Sequence, residues 1–303
     1  MSGKSQVYIL KTEDRNQGIP KLMEKFSTEK WSGDKIALKA NYNSSDDYPA
    51  STHIETMRNI VSELKKYSPA KLTLAERSGM GNTRSVLEKR GVFSLSEELG
   101  FETLVLDELD KADWVKISGA GNHWMKGFYL PKLVLDADRI VETCCLKTHR
   151  FGGHFTLSLK NFVGWVAKNV PGDRYNYMAE LHVSPFQRQM IAEINQHFKT
   201  DMIIMDAIKG FVTQGPDKGQ KIEPNLLLAS SDRVAMDAVG VAILRAYGVK
   251  GPVGKGEIFK QTQLKKAAQL KIGISSSSEI ELISLNKDSE EDIMLIEDIL
   301  RNN

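Results

Sequence analysis

Short runs of β-branched and apolar residues recur along this chain, separated by segments long enough for a helix, and that alternation limits the fold before any motif is weighed. Gln6 to Glu13, Asp34 to Asn41, Lys71 to Arg77, Arg139 to Leu146, Met202 to Asp206, Leu226 to Ala229 and Glu279 to Leu285 read as strands. Helices are expected over Asn16 to Ser27 with Pro20 in its first turn, Ser51 to Tyr67, Thr83 to Arg90, Leu130 to Asp138 and Phe155 to Val166. Further helices are expected over Pro185 to Phe198, Arg233 to Tyr247, Lys255 to Gln269 and Glu290 to Arg301. Strands joined by helix-length crossovers pair in parallel, so the pattern predicts an α/β fold with a mostly parallel sheet flanked by helices. Between residues 102 and 130 the rhythm shortens into a small β excursion, and the polar segment 169–185, which has no period, reads as a lid-like loop. The whole chain is expected to form one α/β domain, with 168–200 as the place where two lobes would divide.

Local signals refine this picture. In the helix from Ser51, the residues Ile54, Met57, Ile60, Val61 and Leu64 share one face, and Ser51 or Thr52 is the expected N-cap. The loop Ser78 to Arg84 carries Gly79 and Gly81 but neither a third glycine nor a Gly-Lys-Ser/Thr, so it reads as a turn and cap. Asp232 is expected to cap the helix after it, and Asp237, in the middle of that apolar helix, to face either solvent or a site. Cys144 and Cys145 are adjacent in a strand, point to opposite faces and read as buried free thiols.

The densest polar chemistry follows the strand Arg139 to Leu146, where Lys147, His149, Arg150, His154, Lys160 and Asn161 surround the pair Gly152-Gly153. Strand carboxyl ends are where open α/β sheets bind ligands. Lys147, His149 and Lys160 are the candidate catalytic residues, because a crowded lysine or a histidine can act as a base near neutral pH. Lys39, Asn41, Arg150, Asn161, His182 and Asp206 are the candidate substrate-binding residues, as donors to a carboxylate or phosphate or as partners at strand ends. His149, His154, His182 and Asp206 would be the donors for a divalent metal, although no helical ligand motif fixes their geometry. His53 and His197 read as surface residues of their helices. A net charge of +2 argues against a dedicated nucleic-acid binder. No apolar run reaches membrane-span length and no signal peptide is evident, so no membrane partner and a cytoplasmic location are expected.

The run Leu146-Lys147-Thr148-His149 with Leu159-Lys160-Asn161-Phe162-Val163-Gly164, together with Asp206-Ala207-Ile208 and Gly215-Pro216, resembles the family called domain of unknown function 362. Lys39-Ala40-Asn41 is similar to that family's early Lys-Pro-Asn element with alanine for proline, and Asp232 to Val239 to its late segment. Many relatives append a ferredoxin-like region; this chain has two cysteines, so no iron–sulfur cluster is expected. A fainter similarity links His149-Arg150-Phe151-Gly152-Gly153 and Lys160 to the segment by which nickel-pincer lactate racemases hold their cofactor. Here Lys160 lies one residue farther along and lacks the preceding glycine pair. The residues predict an enzyme acting on a small anionic metabolite by Lys/His acid–base chemistry, of isomerase, racemase or lyase type. The family resemblance implies the alternative, an accessory binding or electron-transfer protein with a redox partner.

Overall fold

The computed structural model describes residues 4–302. Its strands are β1 Ser5–Lys11, β2 Lys35–Lys39, β3 Lys71–Glu76, β4 Glu102–Val105, β5 Trp114–Ile117, β6 Phe128–Pro131, β7 Arg139–His149, β8 His154–Thr156, β9 Met202–Phe211, β10 Lys221–Ile222, β11 Leu226–Ser230 and β12 Ile280–Ser284. The α-helices are α1 Arg15–Met23, α2 Ile54–Lys65, α3 Thr83–Lys89, α4 Val92–Leu99, α5 Lys132–Leu135, α6 Ser158–Asn161, α7 Tyr177–Val183, α8 Gln187–Ile194, α9 Arg233–Ala246, α10 Thr262–Gln269 and α11 Glu290–Asn302.

Strands β12-β1-β11-β9-β7-β2-β3-β4 lie side by side in a ten-stranded sheet, with β8 and β10 pairing onto β7 and β9, while β5 and β6 form a separate hairpin. The run from β9 to β4 is parallel, and β11 is reversed between β1 and β9. The fold is thus the expected α/β architecture with a mostly parallel sheet. Alternate side chains of each strand enter different cores. Ile203 and Met205 pack with α9, whereas Met202 and Ile204 pack with Ile19, Met57 and Ile60 of α1 and α2. From β2 the chain steps outward to β3, and from β7 it steps the other way to β9, so the sheet changes direction between β2 and β7. A crevice at the carboxyl ends of those two strands follows from that topology.

Several sequence expectations need correction. The strand predicted to end at Leu146 continues to His149, and β8 folds back on it with His149 opposite His154. The turn between them uses Gly152 at φ +81°, a conformation that costs glycine little. The helix expected over Phe155 to Val166 therefore shrinks to α6 and a 3-10 turn, Phe162–Trp165. The lid-like segment is only partly loop, since it closes with α7 capped by Asn176. The helix expected from Lys255 is reduced to α10 behind two 3-10 turns. Pro20 lies beyond the first turn of α1, not within it. His53, not Ser51 or Thr52, caps α2; Thr52 Oγ1 instead accepts from Asn41 N at 2.8 Å and Ser51 Oγ donates to Ser44 O. Asp237 faces neither solvent nor the cavity at the ends of β2 and β7: it is fully buried and accepts from the backbone N–H groups of Ser158 and Leu159 at 2.7 and 3.3 Å. Asp232 caps α9 as expected, and both cysteines are free and buried.

Candidate functional site

A cavity of about 390 Å³ opens at the β2/β7 switch point. Its walls hold Lys39, Asn41, Lys147, His149, Lys160, Asn161 and His182 from the sequence-derived set. Three of them, Lys147, Asn41 and Asn161, form one buried chain of hydrogen bonds. Lys147 Nζ donates to Asn41 Oδ1 at 2.8 Å and to the Ala50 carbonyl, and Asn41 Nδ2 donates to Asn161 Oδ1 at 3.1 Å. Asn161 Nδ2 in turn donates to Glu142 Oε1 at 2.9 Å and to the Thr143 carbonyl at 3.0 Å. Lys39 Nζ reaches both oxygens of Glu76 at 2.8 Å and the Ala40 carbonyl, so its three protons have partners within the protein. Gly164 makes room for that pair, because a Cβ there would stand 2.9 Å from Lys39 Nζ and 2.8 Å from Glu76 Oε1.

Charge is set mainly by burial. Desolvation pulls Lys39 and Lys147 below the usual lysine range and pushes Glu76 above the usual carboxylate range, and the Lys39–Glu76 attraction only partly offsets it. Glu142 is pushed up to about 7 by burial, against the donors Ser158 and Asn161. Lys160 is half-buried, and its ammonium has no hydrogen-bond or ion-pair partner among the described residues. Burial, with Lys147 and Arg77 nearby, lowers its pKa to about 7. His149 is 8% exposed, and burial, then Lys160 and Lys147, hold it far below its ordinary value, so the ring is neutral. Its Nδ1 is buried without a partner. Both groups flank Gly153, where a Cβ would lie 2.6 Å from Lys160 Cε and 2.9 Å from His149 Nδ1.

The site also contains groups that sequence reasoning missed. Arg77 lines the cavity and donates to the carbonyls of Val166 and Val163 at 2.8 and 2.9 Å, which fixes the 3-10 turn after α6. Tyr42 OH and Thr156 Oγ1 are buried and unpartnered on the same walls. The Glu76-Arg77 pair at the carboxyl end of β3 was a readable signal, since the rule that picked out Lys39 and Lys147 applies to it equally.

Two expected residues stay outside. Arg150 does not line the cavity; its guanidinium is held by Asp217 and by the Gln214 carbonyl at 2.9 Å. Asp206 is not at a strand end, because β9 runs on past it after a register shift opposite Cys145 and Leu146. Its carboxylate binds Arg15 at 2.7 Å and accepts from Tyr48 OH and Thr56 Oγ1 at 2.6 Å. Asp206 instead anchors Tyr48 in the loop whose Ala50 carbonyl accepts from Lys147.

The four proposed metal donors do not converge: His154 and Asp206 lie outside the cavity, and His182 Nδ1 donates to the Met178 carbonyl at 2.6 Å. Among the described residues no group of three or more His, Cys, Asp or Glu side chains is placed to hold a metal ion. A nickel-bearing cofactor would meet one orphaned imidazole nitrogen here, so the residues present do not by themselves make a metal centre. Arg84, from the glycine-bearing loop, is paired with Glu108 on the surface, and Asn82 caps α3 there. Among the described residues no helix is long and apolar enough to cross a membrane.

The thylakoid-associated protein sll1697 of Synechocystis sp. is 27% identical over 218 residues, 70% of this chain and 64% of its own length. The match therefore spans less than two thirds of that relative. The solved lactate racemase apoprotein from Thermoanaerobacterium thermosaccharolyticum superposes over 98% of this chain and 86% of its own, at 13% identity and a TM-score of 0.45. Residues 36–242 match the family described as Domain of unknown function (DUF362), and the chain belongs to that family.

Proposed function

We propose that the cavity binds a small anionic metabolite and that Lys160 and His149 handle a proton on it, as in an isomerase, racemase or lyase. One observation carries this reading. An unpartnered lysine with a pKa of about 7 stands beside an orphaned, neutral imidazole nitrogen at a cavity where Lys39, Arg77, Lys147, Lys160 and Lys168 face a single carboxylate, Glu76. The cationic excess attracts a carboxylate or phosphate. Lys147, with one proton uncommitted, and Asn41 suit the developing charge on a carbonyl oxygen. With its pKa lowered to about 7, Lys160 is present in part as the free amine near neutral pH, able to take a proton from the adjacent carbon while the C–H electron pair moves onto the carbonyl.

The test has two stages. Melting of the full chain is followed with inorganic phosphate and a set of carboxylic acids, and acids that stabilise it are incubated with it in D₂O and followed by proton NMR. Stabilisation, and loss of an α-proton signal that slows by roughly 10²–10⁴-fold in Lys160→Met, support the reading. Indifference to every anion contradicts it.

A further inference from the structure

The cavity is divided by chemistry. Its buried part presents Lys147, Asn41, Asn161 and His149, all at most 8% exposed. Its mouth carries two large apolar side chains open to solvent, Met80 at 38% and Phe151 at 47%. Val163 and Met178 also line it and are buried. Phe151 is held in place although exposed. The Arg150 guanidinium lies 4.3 Å from its ring centre, Asp217 grips that guanidinium, and the His149 ring meets Phe151 edge-on at 5.7 Å. An exposed aromatic braced at a cavity mouth is a preformed apolar contact. The volume of about 390 Å³ lies in the ~300–1,000 Å³ range of small-molecule pockets and exceeds what a two-carbon acid needs.

We infer that the ligand is amphipathic: an anionic head seated on the buried basic and amide groups, and an apolar body that passes Val163 and Met178 to rest on Met80 and Phe151. The inference rests on the anion-binding reading above and adds the recognised body. It also gives Arg150 a role through Phe151 in place of direct contact with the anion.

Calorimetric titration of the full chain with acetate, butanoate, hexanoate and octanoate tests it, with methyl, butyl and hexyl phosphate as a second arm to tell the head groups apart. Affinity should rise about fourfold per added methylene, the equivalent of ~0.8 kcal/mol, until the body reaches the mouth. Met80→Ser with Phe151→Ser should flatten the rise. Equal affinity for acetate and octanoate overturns the inference while leaving anion binding intact; an unchanged slope in the double variant overturns the assignment to Met80 and Phe151. Failure of every acid and phosphate to bind overturns this inference and the anion reading together.

Discussion

Replacing Glu76 by glutamine keeps the shape of the site and removes one charge from its centre. The Lys39 and Glu76 side chains are 2% and 1% exposed, so water does little to screen them. Removing one partner of such a pair costs about 3–5 kcal/mol. The cost has a ceiling, because Lys39 can shed its proton: from an ordinary pKa near ~10.4, neutrality at pH 7 costs about 4.6 kcal/mol at 1.36 kcal/mol per unit. The sign with pH follows. In the wild type the pair holds one proton when folded, whichever atom carries it, and one when unfolded, so it adds no slope near neutrality. In Glu76→Gln the folded lysine is neutral and the unfolded one protonated. The unfolded state then binds more protons, and stability of the variant rises with pH toward 10. Urea denaturation followed by tryptophan fluorescence should show the variant weaker by about 3–4.5 kcal/mol at pH 7, with most of the deficit gone by about pH 9.5. At roughly 2 °C per kcal/mol for a chain this long, melting should fall by about 6–9 °C at pH 7. A loss below ~1 kcal/mol, or an equal loss at both pH values, would refute the reasoning about the buried pair.

Other perturbations probe separate parts of the structure. Gly153→Ala puts a methyl group 2.6 Å from Lys160 Cε and 2.9 Å from His149 Nδ1, so the flexible lysine end and the buried ring must both give way; hexanoate affinity by calorimetry is expected to drop about tenfold. An unchanged affinity would separate Lys160 from anion binding. Asp206→Asn removes the charge that Arg15 faces and should destabilise by about 3–5 kcal/mol in chemical denaturation, despite lying outside the cavity. A neutral result would mean that Asp206 does not anchor the Tyr48 loop. Burial raises both cysteine thiols, Cys145 to about 11, so a disulfide reagent at pH 8 should label neither until the chain is denatured. Rapid labelling of the folded protein would show that β7 is accessible.

How much of this was legible in the sequence depended on the range of the forces involved. Strand and helix order came from local periodicity, and the amphipathic face of α2 with Met57, Ile60, Val61 and Leu64 is buried as expected. Lys39, Asn41, Lys147, His149, Lys160 and Asn161 do border one cavity, because residues at the ends of parallel strands meet at a switch point whatever lies between them. Pairing between distant residues was not legible. Nothing local to Asp206 announces Arg15, and nothing local to Asp237 announces that α6 begins against it. The register shift in β9 moved Asp206 from a strand end to a strand interior, and the β7–β8 hairpin replaced the first turns of an expected helix. In each case sheet hydrogen bonding between distant segments overrode a local pattern.

The proposed proton transfer requires Lys160 to titrate near neutral pH. Reductive methylation with ¹³C-formaldehyde, with the Lys160 signal assigned by its absence in Lys160→Arg, allows each lysine to be titrated by carbon NMR. A midpoint close to 7 for Lys160, with exposed lysines near ~10.4, is the expected result. A Lys160 midpoint indistinguishable from the exposed lysines would contradict it.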